Sequence, residues 1–183
     1  TAPGVMAGML RGQLVKGIRS LRWLPAYCWQ RATRRAPGRG PVHVMLAIAN
    51  HFEPGNVPGM QGEYAELDER RRRVEAWCSD YQALADRWRD ADGSPLQHTY
   101  FYPAEHYEKP LIEHLAAHCR AGLGEIEIHL HHGIQEPDTA ENTRRVLLEF
   151  RNALASHGCL SYLEDEGPPR YAFVHGNWAL ANS

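Results

Sequence analysis

The 183-residue chain has no apolar run near the ~18 residues that a membrane-crossing helix needs. It also lacks paired cysteines: Cys28, Cys78, Cys119 and Cys159 stand far apart, with no C-x-x-C among them. That spacing excludes a zinc knuckle and a small disulfide scaffold, and reads as buried thiols in a reducing compartment. There is no Gly-x-Ser-x-Gly elbow, no phosphate-binding glycine loop and no dinucleotide glycine pattern, so three common catalytic designs are absent. Excess charge is missing too. A net charge of −2 gives the whole molecule no electrostatic case for binding nucleic acid.

Residues 1–40 lack any acid, yet carry eight basic residues, among them Arg11, Lys16, Arg19 and Arg22. With +8 there and −2 overall, the remainder carries −10. Leu10, Leu14, Ile18 and Leu21 recur at helical spacing between these cations, and Trp23, Tyr27 and Trp29 follow. The pattern predicts a basic amphipathic helix. It either packs on the rest of the protein or, through residues 5–30, makes peripheral contact with an anionic membrane surface. No continuous apolar stretch marks a cleavable secretory signal, so the expected location is cytoplasmic or peripheral at the inner membrane. Ala36-Pro37-Gly38-Arg39-Gly40-Pro41 reads as a linker, dividing residues 1–40 from a domain over 41–183. The chain has no initiator methionine and stops just past a candidate site residue, as a piece of a longer protein would.

Beyond the linker, strand-like and helix-like patterns alternate. Residues 42–49 are short and rich in Val, Ile and Leu, and Pro54–Gly62 is a long loop. Leu67, Val74, Trp77, Tyr81, Leu84 and Trp88 mark one face of a helix, whose Arg70–Arg73 run reads as a solvated, ion-paired face. His98–Tyr102 predicts a second strand, and Pro110 opens a helix with Leu111, Leu115 and Cys119 inward. His114 and His118 on that helix lack the glutamate of a metalloprotease motif and read as surface residues. Residues 125–131 give a third strand. Asp138 with Glu141 predicts the cap of a helix that buries Val146, Leu147, Phe150 and Leu154, and residues 171–175 give a fourth strand. The expected class is therefore α/β, with parallel βα repeats forming the first half of a distorted (β/α) barrel behind a basic N-terminal helix.

Chemistry gathers at the carboxyl ends of such strands, and histidines stand there. Strand alternation places Glu125, Glu127, His129 and His131 on one face of the third strand and Ile126, Ile128 and Leu130 on the other. Polar groups on an inner sheet face are costly unless paired or bound to something. His129 and His131, with Cβ atoms roughly 6–7 Å apart, are spaced to converge on one ion. His132 adds a third imidazole and His51, at the end of the first strand, a fourth. Glu53 is a candidate ligand or general base. Glu105, after the second strand, is placed to orient a ligand histidine or meet a sugar hydroxyl. His175 ends the fourth strand, and Trp178 just beyond it is placed to stack on a sugar. A divalent ion here, of zinc type, would activate water and polarise a carbonyl.

At these residues the chain resembles the polysaccharide deacetylase superfamily, the NodB-homology fold, over about residues 42–178. The family's first motif, Thr-Phe-Asp-Asp-Gly, looks like Ala49-Asn50-His51-Phe52-Glu53-Pro54; its second strand is similar to Thr99-Tyr100-Phe101; its second motif, His-Ser/Thr-x-x-His after strand three, falls on His129-Leu130-His131-His132 with a shorter spacing. The resemblance implies that His51 replaces a metal-binding Asp, that His129 with His131 or His132 replaces the His pair, and that Asn50 stands where the catalytic Asp does. It implies a divergent metal-dependent hydrolase of an acetylated sugar polymer, with Glu53 as the remaining base. The alternative is a non-catalytic carbohydrate-binding or scaffolding protein of polysaccharide biosynthesis. Another metallohydrolase barrel, such as a phosphoesterase, fits less well, since those resemblances put His-x-His on the first strand.

Overall fold

The structure is a computed structural model, and it describes residues 21–35, 40–58, 63–131, 133, 136–162 and 167–176. The helix expected over residues 10–20, most of the linker, His132 and Trp178 lie outside the described residues. The chain divides into two units, residues 1–45 and 46–183. In the first, a single 3-10 turn (Leu21–Trp23) leads into helix α1 (Leu24–Thr33), which has proline in its first turn and buries none of its residues. No helix among the described residues is long and apolar enough to cross a membrane.

The second unit alternates strand and helix. Strand β1 (Ile48–His51) leads to helix α2 (Leu67–Arg87), β2 (His98–Pro103), α3 (Lys109–His118), β3 (Gly124–Leu130) and α4 (Ala140–Ser156). A two-stranded antiparallel hairpin follows, β4 (Ser161–Tyr162) with β5 (Pro169–Arg170), and then β6 (Phe173–His175). The main sheet runs β1-β2-β3-β6, every pair parallel. Each helical crossover joins a strand to its immediate neighbour, so crossovers of one hand stack their helices on one face. The sheet is half of a barrel with helices outside.

The helix-covered face holds the core. Tyr100, Tyr102, Ile126, Ile128 and Leu130 meet Val74 of α2, Leu111, Ile112 and Leu115 of α3, and Phe150 and Leu154 of α4. Ile126, Ile128 and Leu130 are each at most 2% exposed, as strand alternation requires. On the bare face Ala49 and Glu125 are exposed, while Phe101 and Glu127 are half-buried.

Several elements differ from the sequence reading. β1 pairs only from Ile48, opposite His98, and Val44 and Met45 are 86% and 97% exposed. The cause lies in its neighbour: before His98 the chain turns away, with Pro95 bridged to Arg89, so residues 42–47 have no strand to pair with. The cap of α4 is Thr139 rather than Asp138; its Oγ1 accepts from the Asn142 amide at 3.2 Å. The buried face of α2 is Val74, Cys78, Tyr81 and Ala85, so Cys78 and Ala85 lie inward while Leu84 and Trp88 of the expected face are exposed. His118 is no surface residue. It is 7% exposed and faces the Tyr100 hydroxyl at 3.0 Å. Cys78 is buried, Cys119 and Cys159 are half-buried, and Cys28 is exposed; all four are free thiols.

Candidate metal centre

The carboxyl end of the bare face collects four side chains from two segments. Alternation along β1 sends His51 to the bare face, and the chain then continues to Glu53. The same alternation along β3 sends His129 and His131 there. The Glu53 carboxylate is their meeting point: its Oε1 lies 3.5 Å from His51 Nδ1, 3.5 Å from His129 Nε2 and 3.7 Å from His131 Nε2. His129 Nε2 and His131 Nε2 are 3.2 Å apart, and the His51 and His129 rings lie 4.1 Å apart, centroid to centroid. His51, Glu53 and His129 form a group that could hold a metal ion, with ligand atoms all within 4.8 Å of one another.

These separations have a chemical meaning. Ligand atoms bonded at 2.0–2.1 Å around a tetrahedral ion lie about 3.3 Å from one another. The spacings of 3.2–3.7 Å are close to such edges. Protonation strengthens the point. His129 Nδ1 lies 2.8 Å from the carbonyl oxygen of Val174. A carbonyl only accepts, so Nδ1 carries the proton and Nε2 presents a lone pair. His131 Nδ1 is hydrogen-bonded to the Glu105 carboxylate, which also only accepts, so its Nε2 is likewise turned to the centre. Two lone-pair nitrogens thus face each other beside a carboxylate. They need a positive charge between them, either a metal ion or a proton.

Electrostatics follow that geometry. The hydrogen bond to Glu105 raises the pKa of His131, so a proton readily fills the gap when no metal does. The imidazoles around Glu53, His129 foremost and then His131, lower its pKa and keep it ionised. Burial, followed by the neighbouring His129, lowers that of His51 and favours the neutral form a metal ligand requires. His129 is fully buried, whereas the His51 side chain is 45% exposed, so the centre opens to solvent on the β1 side.

Surrounding groups hold this arrangement. A side chain at Gly176 would overlap the His131 ring and the Leu130 carbonyl, so glycine is needed where β6 passes that histidine. Arg73 donates to the carbonyls of Pro54 at 3.0 Å and Asn56 at 2.8 Å, pinning the loop that leaves Glu53. The Arg70–Arg73 run is thus more than a solvated face. Its spacing gave no sign of that role, and the Val174 carbonyl, being backbone, left no trace in the sequence. His106 is buried edge-on to Tyr64, with neither ring nitrogen hydrogen-bonded and its pKa lowered by burial.

The other candidates are placed as follows. Asn50 is one residue out of phase with His51 and faces the helices, where its Oδ1 lies 3.0 Å from His98 Nε2; it is no part of the centre. Glu105 is the partner of His131. His175 pairs in register with Leu130 and so shares the Ile128 and Leu130 side of the sheet, with its Nδ1 2.6 Å from the Gly176 carbonyl oxygen. Compared with models of protein families, with curated proteins and with solved structures, the chain matches none of them.

Proposed function

We propose that the chain is a divergent metal-dependent hydrolase that removes acetyl groups from a sugar polymer, with a zinc-type divalent ion held by His51, Glu53, His129 and His131. The observation that carries this reading is the pair of Nε2 atoms 3.2 Å apart, each with its Nδ1 committed to an acceptor, beside the Glu53 carboxylate. The donor set of imidazoles and one carboxylate suits zinc. An ion bound there supplies a water of lowered pKa and polarises an acetamide or ester carbonyl. His129 and His131 are held by Val174 and Glu105, so their lone pairs need no reorganisation to bind it. The exposed edge of His51 leaves the approach for substrate. The carbohydrate class rests on the motif resemblance.

A second reading draws on a specific observation. Asn50 is turned to His98, and Glu53 is surrounded by three imidazoles, so neither stands apart as a free general base. This favours a carbohydrate-binding or scaffolding protein of polysaccharide assembly in which the ion is structural. Acetate release from an acetylated chito-oligosaccharide separates the two. The hydrolase reading expects zinc-dependent release that His129→Ala abolishes. Sugar binding without release, with zinc, manganese or cobalt present, leaves the scaffolding reading.

A further inference from the structure

Helix α1 and the turn before it carry five large apolar side chains that stand in water: Leu21, Trp23, Leu24, Tyr27 and Trp29 are each between 40% and 73% exposed. Helical spacing orders them. Leu24, Cys28 and Ala32 recur every fourth residue and form one apolar stripe, which Leu21 extends at its start. Trp29 borders the stripe on one side, and Tyr27 and Arg31 border it on the other. The Trp23 and Tyr27 rings meet edge to face, with centroids 5.3 Å apart. Exposed apolar side chains crowded in this way mark a surface that is made to be covered.

Charge selects what covers it. Residues 21–35 hold Arg22, Arg31, Arg34 and Arg35, and the first acid of the chain is Glu53. Elsewhere arginines meet acids on their own helix: Glu69 takes Arg72 and Arg73 on α2, and Glu149 takes Arg145 on α4. Helix α1 contains no such partner, so its guanidinium groups are left to an outside anion. We infer that α1 and its leading turn dock on an anionic phospholipid bilayer, with the leucine stripe and the tryptophans in the interface and the arginines on headgroup phosphates. A nucleic acid also offers phosphates, but nothing apolar to receive Leu21 and Leu24, whereas acyl chains do. Trp and Tyr, apolar in body and polar at one end, suit the depth of the headgroups. With ten residues the helix is about 15 Å long, far short of the ~30 Å hydrocarbon layer, so it lies along the surface.

The test is sedimentation of the full chain with vesicles of phosphatidylcholine alone or of equal parts phosphatidylcholine and phosphatidylglycerol. The anionic vesicles should carry the chain down and the neutral ones should leave most of it behind. Raising salt from about 0.1 M to about 1 M, which shortens the Debye length from about 10 Å to about 3 Å, should release it. Replacing Arg34 and Arg35 together by alanine should weaken binding about 25-fold, at about fivefold for each cation. Trp29→Ala should weaken it about tenfold. All three residues are exposed, so the denaturant midpoint of each variant should stay that of the parent. The inference is overturned if neither kind of vesicle carries the chain down, or if neutral vesicles bind it as tightly as anionic ones. A homopolymeric RNA that binds the chain when the vesicles do not would give the surface to nucleic acid instead. A midpoint that falls in Trp29→Ala would overturn it as well, by showing that the aromatic face packs within the protein.

Discussion

On the helix-covered face of the sheet, His98 meets Asn50 and His118 meets the Tyr100 hydroxyl, each at 3.0 Å. On the bare face, His129 and His131 meet each other and the Glu53 carboxylate. One residue type thus serves two ends within a single sheet. Histidines of the first kind sit among Trp77, Tyr81 and Tyr100, where aromatic edges and a neutral partner satisfy an uncharged ring. Those of the second kind have one nitrogen committed to a carbonyl or carboxylate and the other left facing an electron-rich neighbour. The difference shows what separates a packed histidine from a ligand. Burial does not, since His129 is the most buried of them all; the direction of the second lone pair does.

The largest effect that can test this contrast is the loss of a bare-face ligand. His129→Ala should lower zinc affinity by more than about a hundredfold, beyond the 10–100-fold that outer-shell changes cost, while far-UV circular dichroism stays that of the parent. Glu105→Gln, which keeps the shape but weakens the hold on His131, should cost about 10–100-fold in affinity by competition titration. Equal zinc binding by parent and variant would put Glu105 outside the centre. On the other face the roles should reverse. His118→Ala strips the Tyr100 hydroxyl of a buried partner, so denaturant unfolding should show a loss of about 1–3 kcal/mol with zinc affinity unmoved. A variant that kept its stability but lost zinc would erase the contrast.

The smallest effect is in pH. Burial lowers the pKa of His98, His106 and His118 below the ordinary 6.5. Below pH 6.5 the unfolded chain therefore binds protons that the folded one refuses, and stability falls on acidification. His131 acts oppositely: its pKa is raised by Glu105, so its contribution is present below 6.5 and fades as pH rises through the folded value. With these three and His51, whose pKa is lowered as well, against His131 alone, the chelator-treated protein should lose denaturant resistance between pH 7 and pH 5, and His118→Ala should flatten that slope. A midpoint that rises on acidification would mean that His131 dominates.

Much of this was legible in residue patterns. The βα alternation, the split of β3 into an apolar and a polar face, and the convergence of His51 with His129 and His131 all followed from period-two alternation. What alternation fixes only by phase proved fragile. Asn50, one residue from His51, points the other way, and His175 sits opposite Leu130 rather than His129. Register between strands decides that, and no single strand carries it. His118 was misjudged because a helix pattern shows which residues share a face but not where the neighbouring strand lies. The cap lies one residue on because Thr139, like Asp138, carries a capping oxygen. Arg73 was hidden by its charge run, of which Arg71 and Arg72 do pair locally with Asp68 and Glu69.

The central claim is that imidazoles from β1 and β3 close with Glu53 around one ion. X-ray absorption at the zinc edge tests it most directly, on the full chain loaded with one equivalent after chelation. The account predicts four light ligands at about 2.0–2.1 Å with the multiple scattering of imidazole rings, and loss of part of that imidazole signal in His51→Ala. An all-oxygen shell, or a His51→Ala spectrum identical to that of the parent, would contradict it.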